Sequence, residues 1–360
     1  MVRHRFVDPV MPPPSAYAAF LQEAYDGRIF SNFGPLSRRF EERLCSRFGH
    51  RDERCVAAAS ATAGLSAALI VSCKAGDVLV PAFTFPASAG AVFAANLTPR
   101  VIDVDPRTWA VTRDILEQAF ASERPGAVML VAPFGMATDF SDAIAFCREQ
   151  GCPVIIDNAA GLGIARKPLP AHPGVFEVFS LHATKTFCAG EGGVVFAHAD
   201  RETDLRAALN FGLQRGHEGA RWGFNGKMSE FHAAVALAQL DRIDEAVAHR
   251  QAYATEYLAR SRRLRQTLPC GVADAPWQCI PYLALDEGDA DRIEAEAARG
   301  GVEIRRYYRP SLSQWPALSQ TAICPVAEDL SRRMCALPVR ASDDPVVRDE
   351  IVGTVAGLLN

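Results

Sequence analysis

The chain has 360 residues, 49% of them hydrophobic and 22% charged, and 38 Lys and Arg against 42 Asp and Glu leave a formal net charge of −4. That length supports one large or two medium domains and a core that needs neither disulfides nor metals. A sequence pI near 6.1 and the lack of any Lys/Arg run exclude nucleic acid and anionic membrane as electrostatic partners, so an anionic ligand must be met locally.

No apolar stretch approaches the ~20 residues of a membrane span. The opening residues 1–14, MVRHRFVDPVMPPP, lack the apolar segment of a signal peptide, which predicts a cytoplasmic protein with no membrane partner. Ten cysteines (45, 55, 73, 147, 152, 188, 270, 279, 324 and 335) form no CxxC pair and keep no ligand spacing with histidine. They read as small buried hydrophobes in a reducing compartment, with no metal site.

In chain order, short apolar runs alternate with helical patterns. Strands are predicted at Val78–Val80, Val101–Val104, Ala127–Val131, Val154–Asp157, Val175–Ser180 and Gly193–Phe196, and helices around Thr62–Cys73, Ser88–Asn96, Asp114–Phe120 and Phe140–Gln150. Most of the strands are bare hydrophobic runs, which points to a parallel sheet buried on both faces in an α/β fold. From Met228 to Arg265 an Ala- and Leu-rich pattern without Pro or Gly predicts a helix bridging to a second lobe. That lobe has a strand at Pro281–Leu285, a helix at Asp289–Arg299 and a terminal helix after Pro345. The predicted division is a large domain over 25–245 and a small one over 246–360, with segment 1–24 packing near the latter.

The most informative segment is Phe179-Ser-Leu-His-Ala-Thr-Lys185, followed by Gly190-Glu-Gly-Gly193. A lysine leaving a strand among small residues suits a Schiff-base amine in a confined site; the alternative is a surface lysine in a mobile loop. Val154-Ile-Ile-Asp157 sets a carboxylate at the end of an apolar strand, where it either pairs with a cationic ring nitrogen or caps a helix. Ala59-Ser60-Ala-Thr62-Ala-Gly64 opens a helix with small residues and two hydroxyls, a pattern that serves phosphate or plain capping. In Pro81-Ala-Phe-Thr-Phe85 the last ring either stacks on a planar ligand or belongs to the core.

In this order and spacing, these elements resemble the DegT/StrS-type sugar aminotransferases, pyridoxal phosphate (PLP) enzymes of fold type I. The resemblance also takes in Phe30-Ser-Asn-Phe-Gly-Pro35, Val101-Ile-Asp-Val-Asp105, Gly223-Phe-Asn-Gly-Lys-Met-Ser-Glu230, Pro325-Val-Ala-Glu328 and Ala336-Leu-Pro338, nearly the whole chain. It implies a large domain with a mainly parallel seven-stranded sheet and a smaller α/β domain. It implies further that Lys185 bonds the cofactor, Asp157 pairs with its ring nitrogen and Phe85 stacks on the ring. Ser60, Ala61, Thr62 and Ser180 then hold the phosphate, with Asn225 reaching it from the other subunit of a homodimer. The run His182-Ala-Thr-Lys185 is similar to that of a subgroup aminating C4 of 4-keto-6-deoxy nucleotide sugars, where His182 shapes the substrate pocket, assists proton transfer or only braces the loop.

Two positions depart from the family pattern. Asp157-Asn-Ala-Ala160 lacks the usual Gln or His beside the cofactor's phenolic oxygen, and Tyr308-Arg-Pro-Ser311-Leu-Ser313 lacks the usual histidine. The expected activity is transfer of an amino group from L-glutamate to a nucleotide-linked keto-deoxysugar. Its rivals are amination at C3, a PLP dehydratase, which the presence of Lys185 disfavours, and a non-catalytic regulatory protein.

Overall fold

The computed structural model describes residues 3–214, 217–218, 222–318, 323–340 and 344–359. Seven strands form the central sheet: β1 (Glu53–Ala58), β2 (Asp77–Pro81), β3 (Thr98–Ile102), β4 (Ala127–Val131), β5 (Val154–Asp157), β6 (Val175–Ser180) and β7 (Gly193–His198). They lie in the order β1-β7-β6-β5-β4-β2-β3, and only β7 runs antiparallel to its neighbours. Strands β4, β5 and β6 are buried along their whole length, which is why their sequences are mostly hydrophobic, with buried Glu177 inside β6 and Asp157 and Ser180 at the ends of β5 and β6. The chain order reverses at β2, and the loops leaving β2, β4, β5 and β6 gather at the carboxyl edge, where open α/β sheets take ligands.

Four helices lie among the first strands, α1 (Pro14–Gly27), α2 (Pro35–Phe48), α3 (Ala61–Ser72) and α4 (Ala87–Ala94), and α3 and α4 start from the loops that leave β1 and β2. Helix α3 is apolar nearly all round because its turns are buried; Ser60 caps it, accepting from the Ala63 N–H at 3.1 Å. The start of α2 is capped from a distant helix, Glu230–Leu240. Buried Glu230 accepts from the N–H groups of Leu36 (2.7 Å) and Ser37 (3.0 Å). A Cβ at Gly34 would stand 2.6 Å from the Glu230 carboxyl carbon, so Phe33-Gly34-Pro35 and Met228-Ser229-Glu230 act as one packing motif.

The helical pattern after Met228 is three helices where the sequence predicts one: Glu230–Leu240, Ile243–Arg260 and Arg262–Thr267. Ser261 ends the second by capping the third, its hydroxyl accepting from the Leu264 N–H at 3.2 Å. Helix Ile243–Arg260 crosses between lobes, with Ile243 and Val247 in the large lobe's core beside Gly163 and Tyr257 donating to the Pro338 carbonyl at 3.2 Å. The small lobe is an antiparallel sheet of Ile280–Leu283, Met334–Leu337 and Arg305–Arg306, with Met334–Leu337 central, covered by helices Glu287–Arg299, Pro325–Arg333 and Pro345–Ala356. Asp286 starts the first of these helices ahead of the predicted Asp289 by accepting from the Asp289 N–H at 2.8 Å.

The N-terminal segment divides. Arg3 and His4 donate backbone N–H groups to Gly301 of the small lobe, while α1 packs on the Glu230–Leu240 helix of the large one. The ten cysteines form no disulfide, and eight are buried.

Candidate active site

Asp157 closes β5 with its carboxyl group buried. Oδ2 accepts from the Ser88 hydroxyl at 2.6 Å, and that hydroxyl pairs with Thr84 Oγ1 at 2.8 Å; Oδ1 accepts from the Ala159 N–H at 3.1 Å. Burial raises the Asp157 pKa, and Ser88, Ala159 and the charge of Lys185 only partly oppose it. Helix capping does not account for this residue, since the next element after β5 is strand β6.

Lys185 sits in the loop between β6 and β7, its N–H donating to the His182 carbonyl at 2.9 Å. Nζ donates to Oε1 of Gln278 at 2.6 Å. Burial lowers the lysine pKa, opposed by the charges of Asp157 and Cys279, so a neutral amine is accessible. The exposed-loop alternative is therefore not what the structure shows. The loop is folded back on itself, with the Leu181 N–H bonded to the Gly192 carbonyl and the Ala183 N–H to that of Gly190, both at 2.9 Å.

The adjoining strand ends make an anion cradle. Gly193 is paired with both Ser180 and Ala58, and a Cβ there would lie 2.4 Å from the Ala61 nitrogen. Its glycine thus lets β7 meet the first turn of α3, whose Ala61 and Thr62 N–H groups have no acceptor within the helix. Ser60 Oγ accepts from the Ala63 N–H at 3.1 Å and Ser180 Oγ from the His182 N–H at 3.2 Å, which leaves each hydroxyl its own proton for a ligand. Phe83, not Phe85, is the core ring of its segment; Phe85 is 56% exposed and offers a face.

His182 and Asn225 do not join this cluster. The His182 ring braces the loop, Nδ1 lying 2.9 Å from Thr184 Oγ1 and Nε2 3.7 Å from Glu191. Asn225 is exposed and accepts from Lys227 Nζ at 2.8 Å. Its segment lies against the end of β1, the Ala59 N–H donating to the Gly226 carbonyl at 2.7 Å.

Ser88 and Gln278 join the site without having been singled out by the motifs, and Tyr308 entered only through the histidine that its segment lacks. Ser88 carries a signal, one helical turn beyond Phe85. Gln278 carries none, reaching Lys185 across 93 positions. Tyr308, stacked on Phe134 with ring centroids 5.5 Å apart, is half-buried near Asp157 and Cys279, and desolvation pushes its hydroxyl pKa strongly up.

A buried carboxylate that meets no cation within hydrogen-bond distance among the described residues, an amine drawn toward neutrality, a helix N-terminus and an open aromatic face together fit pyridoxal phosphate. With the sheet order, they define an α/β enzyme of the PLP-dependent fold type I class.

Comparison with known proteins gives the family: residues 15–356 match the DegT/DnrJ/EryC1/StrS aminotransferase family, and the chain belongs to it. It is 31% identical to GDP-perosamine synthase of Caulobacter vibrioides, with 81% of each chain covered. It is 27% identical to UDP-2-acetamido-2-deoxy-3-oxo-D-glucuronate aminotransferase of Pseudomonas aeruginosa, over 85% of this chain and 86% of that one. Among solved structures, DesI in the presence of its TDP-sugar product superposes with a TM-score of 0.86 at 30% identity, covering 97% of this chain and 91% of that one. Among the described residues no helix is long and apolar enough to cross a membrane.

Proposed function

We propose that the protein moves the amino group of L-glutamate to a nucleotide-linked keto-deoxysugar, at C4 of a 4-keto-6-deoxy ring. The observation that carries this reading is a buried carboxylate, Asp157, held by Ser88 at 2.6 Å, near enough to feel the charge of a buried amine, Lys185, that Gln278 holds at 2.6 Å. Pyridoxal phosphate, when bound, supplies the electron sink that loosens the donor's Cα–H bond.

The chain's own residues do the rest. Lys185 Nζ takes the proton from the donor's α-carbon, glutamate leaves as 2-oxoglutarate, and with the sugar bound the same amine works in the opposite sense. Asp157, held by Ser88, keeps a ring nitrogen cationic. The N–H groups of Ala61 and Thr62 with the hydroxyls of Thr62 and Ser180 take the phosphate, and Phe85 covers the ring. His182 keeps the lysine loop in shape through Thr184.

The relatives' names span GDP-perosamine and a 3-oxo-glucuronate, so the choice of C4 rests on the run His182-Ala-Thr-Lys185. We further infer a homodimer in which Asn225 completes the phosphate site of the neighbouring subunit. Supporting this, Phe211, whose N–H donates to the Phe224 carbonyl beside Asn225, and Trp222, three residues before Asn225, are exposed, as are the stacked rings of Phe30 and Phe231, 5.9 Å apart. Exposed apolar groups in such number mark an association surface. Eight buried thiols, none of them in a disulfide, fit work in the cytoplasm.

The test is a panel of 3-keto and 4-keto nucleotide sugars incubated with the holoenzyme and glutamate, products identified by mass and NMR. Amination of the 4-keto members is expected; a 3-amino product alone would move the reading to C3.

A further inference from the structure

The amide that receives the lysine amine belongs to the entry of the small lobe, and that segment is tied down on two sides. Thr186 Oγ1, beside the lysine, donates to the Pro276 carbonyl at 2.9 Å. From the bridging helix, buried Arg250 donates through Nη1 to the carbonyls of Trp277 (3.2 Å) and Gln278 (3.4 Å). The Gln278 backbone is therefore fixed before its side chain makes any contact. Its Oε1 then accepts from Lys185 Nζ at 2.6 Å.

The charged and titratable groups facing this amine are Asp157 from β5 and Cys279 from the small lobe, with Tyr308 facing both. Position 160 is alanine and offers the amine no polar side chain. A neutral amide suits the role because it holds either protonation state of the amine in one direction without adding charge. A carboxylate at the same place would fix the ammonium form by a charge-assisted bond. An apolar side chain would leave a buried amine with one acceptor fewer.

We propose that Gln278 is a positioning residue of the amino transfer, its amide oxygen aiming Lys185 Nζ and keeping both protonation states of that amine within reach. Arg250 and Thr186 act through it by fixing its backbone segment. This rests on Lys185 being the reacting amine.

The test measures the amine itself in the full-length chain without added cofactor. Lys185 is acylated with dilute acetic anhydride across a pH series, and the extent of reaction is read by peptide mass spectrometry. Gln278→Glu, close in size to the parent residue, is expected to raise the midpoint of the labelling profile by about one pH unit or more, a tenfold change in the protonation equilibrium. Gln278→Leu is expected to move the midpoint down, since the ammonium loses an acceptor. Midpoints unmoved in both folded variants would overturn the proposal and leave Gln278 a packing residue. Borohydride reduction of the parent with pyridoxal phosphate tests the underlying reading separately. A tag on Lys74, Lys167 or Lys227 in place of Lys185 would overturn that reading, whatever the labelling profiles show.

Discussion

The hydroxyl of Ser88 donates to Oδ2 of Asp157 over 2.6 Å, so the helix that follows Phe85 aims the carboxylate that ends β5. The bond orients a charge whose burial is unfavourable until a cation arrives. A raised folded-state pKa means that the stability from this group is complete below its unfolded value and is lost as pH rises through the folded one.

Asp157→Asn is therefore expected to leave the cofactor-free protein at least as stable at neutral pH and to flatten this part of its acid-to-neutral stability profile. The same variant should lose much of the rise in Tm on adding pyridoxal phosphate, and at least tenfold in amino transfer, or ~1.4 kcal/mol of barrier. Melting curves with and without cofactor check both parts. An unchanged cofactor-induced rise would show that Asp157 does not meet the ring nitrogen.

Lys185→Ala removes the amine but leaves the N-terminus of α3, Ser180 and Phe85 in place. It should fold, retain measurable pyridoxal phosphate binding and lose amino transfer entirely. Steady turnover by the purified variant would contradict the assignment.

The sheet and the first half of the site are legible because they rest on local signals. Burial on both faces writes β4, β5 and β6 as mainly hydrophobic runs; Asp157 and Ser180 sit at the ends of two of them, and Lys185 lies five residues on, in the loop that leaves β6. Strand β1 was not legible, because it opens with Glu53-Arg54 and continues through small residues. Glu53 is buried there by Arg166, whose Nη1 bonds its Oε2 at 2.7 Å across 113 positions. The predicted single helix after Met228 fails for a similar reason: no Pro or Gly marks the breaks, and the Ser261 cap shows itself only through its bond to Leu264. Gln278 and Glu230 act across distances that no short motif reports.

That Arg166 contact supplies a stability prediction. The guanidinium lies between Glu53 and Glu177, 2.6 Å from the latter, and Glu177 also accepts from Asn158 Nδ2 at 2.7 Å, next to Asp157. Arg166→Ala leaves two buried carboxylates unpaired and should cost on the order of 3–5 kcal/mol. Denaturant titration at neutral pH checks it, and a loss below ~1 kcal/mol would mean that water reaches the pair.

Assembly yields a further expectation. If Asn225 serves the neighbouring subunit, cofactor retention depends on protein concentration by mass action. Dilution toward monomer should release pyridoxal phosphate, and Asn225→Ala should weaken its binding in the dimer. Equilibrium dialysis over a dilution series checks this; a monomer that holds cofactor as tightly as the parent would show a site built from one chain.

The most direct measurement follows the nitrogen atom. The holoenzyme is supplied with glutamate carrying isotopically labelled nitrogen and a 4-keto-6-deoxy nucleotide sugar, and the product is read by NMR. The account predicts that the label appears on the sugar's C4 with one 2-oxoglutarate released per amino sugar, and that none appears with Lys185→Ala. Cofactor bound at Lys185 with no label transferred to any keto sugar of the panel would contradict it.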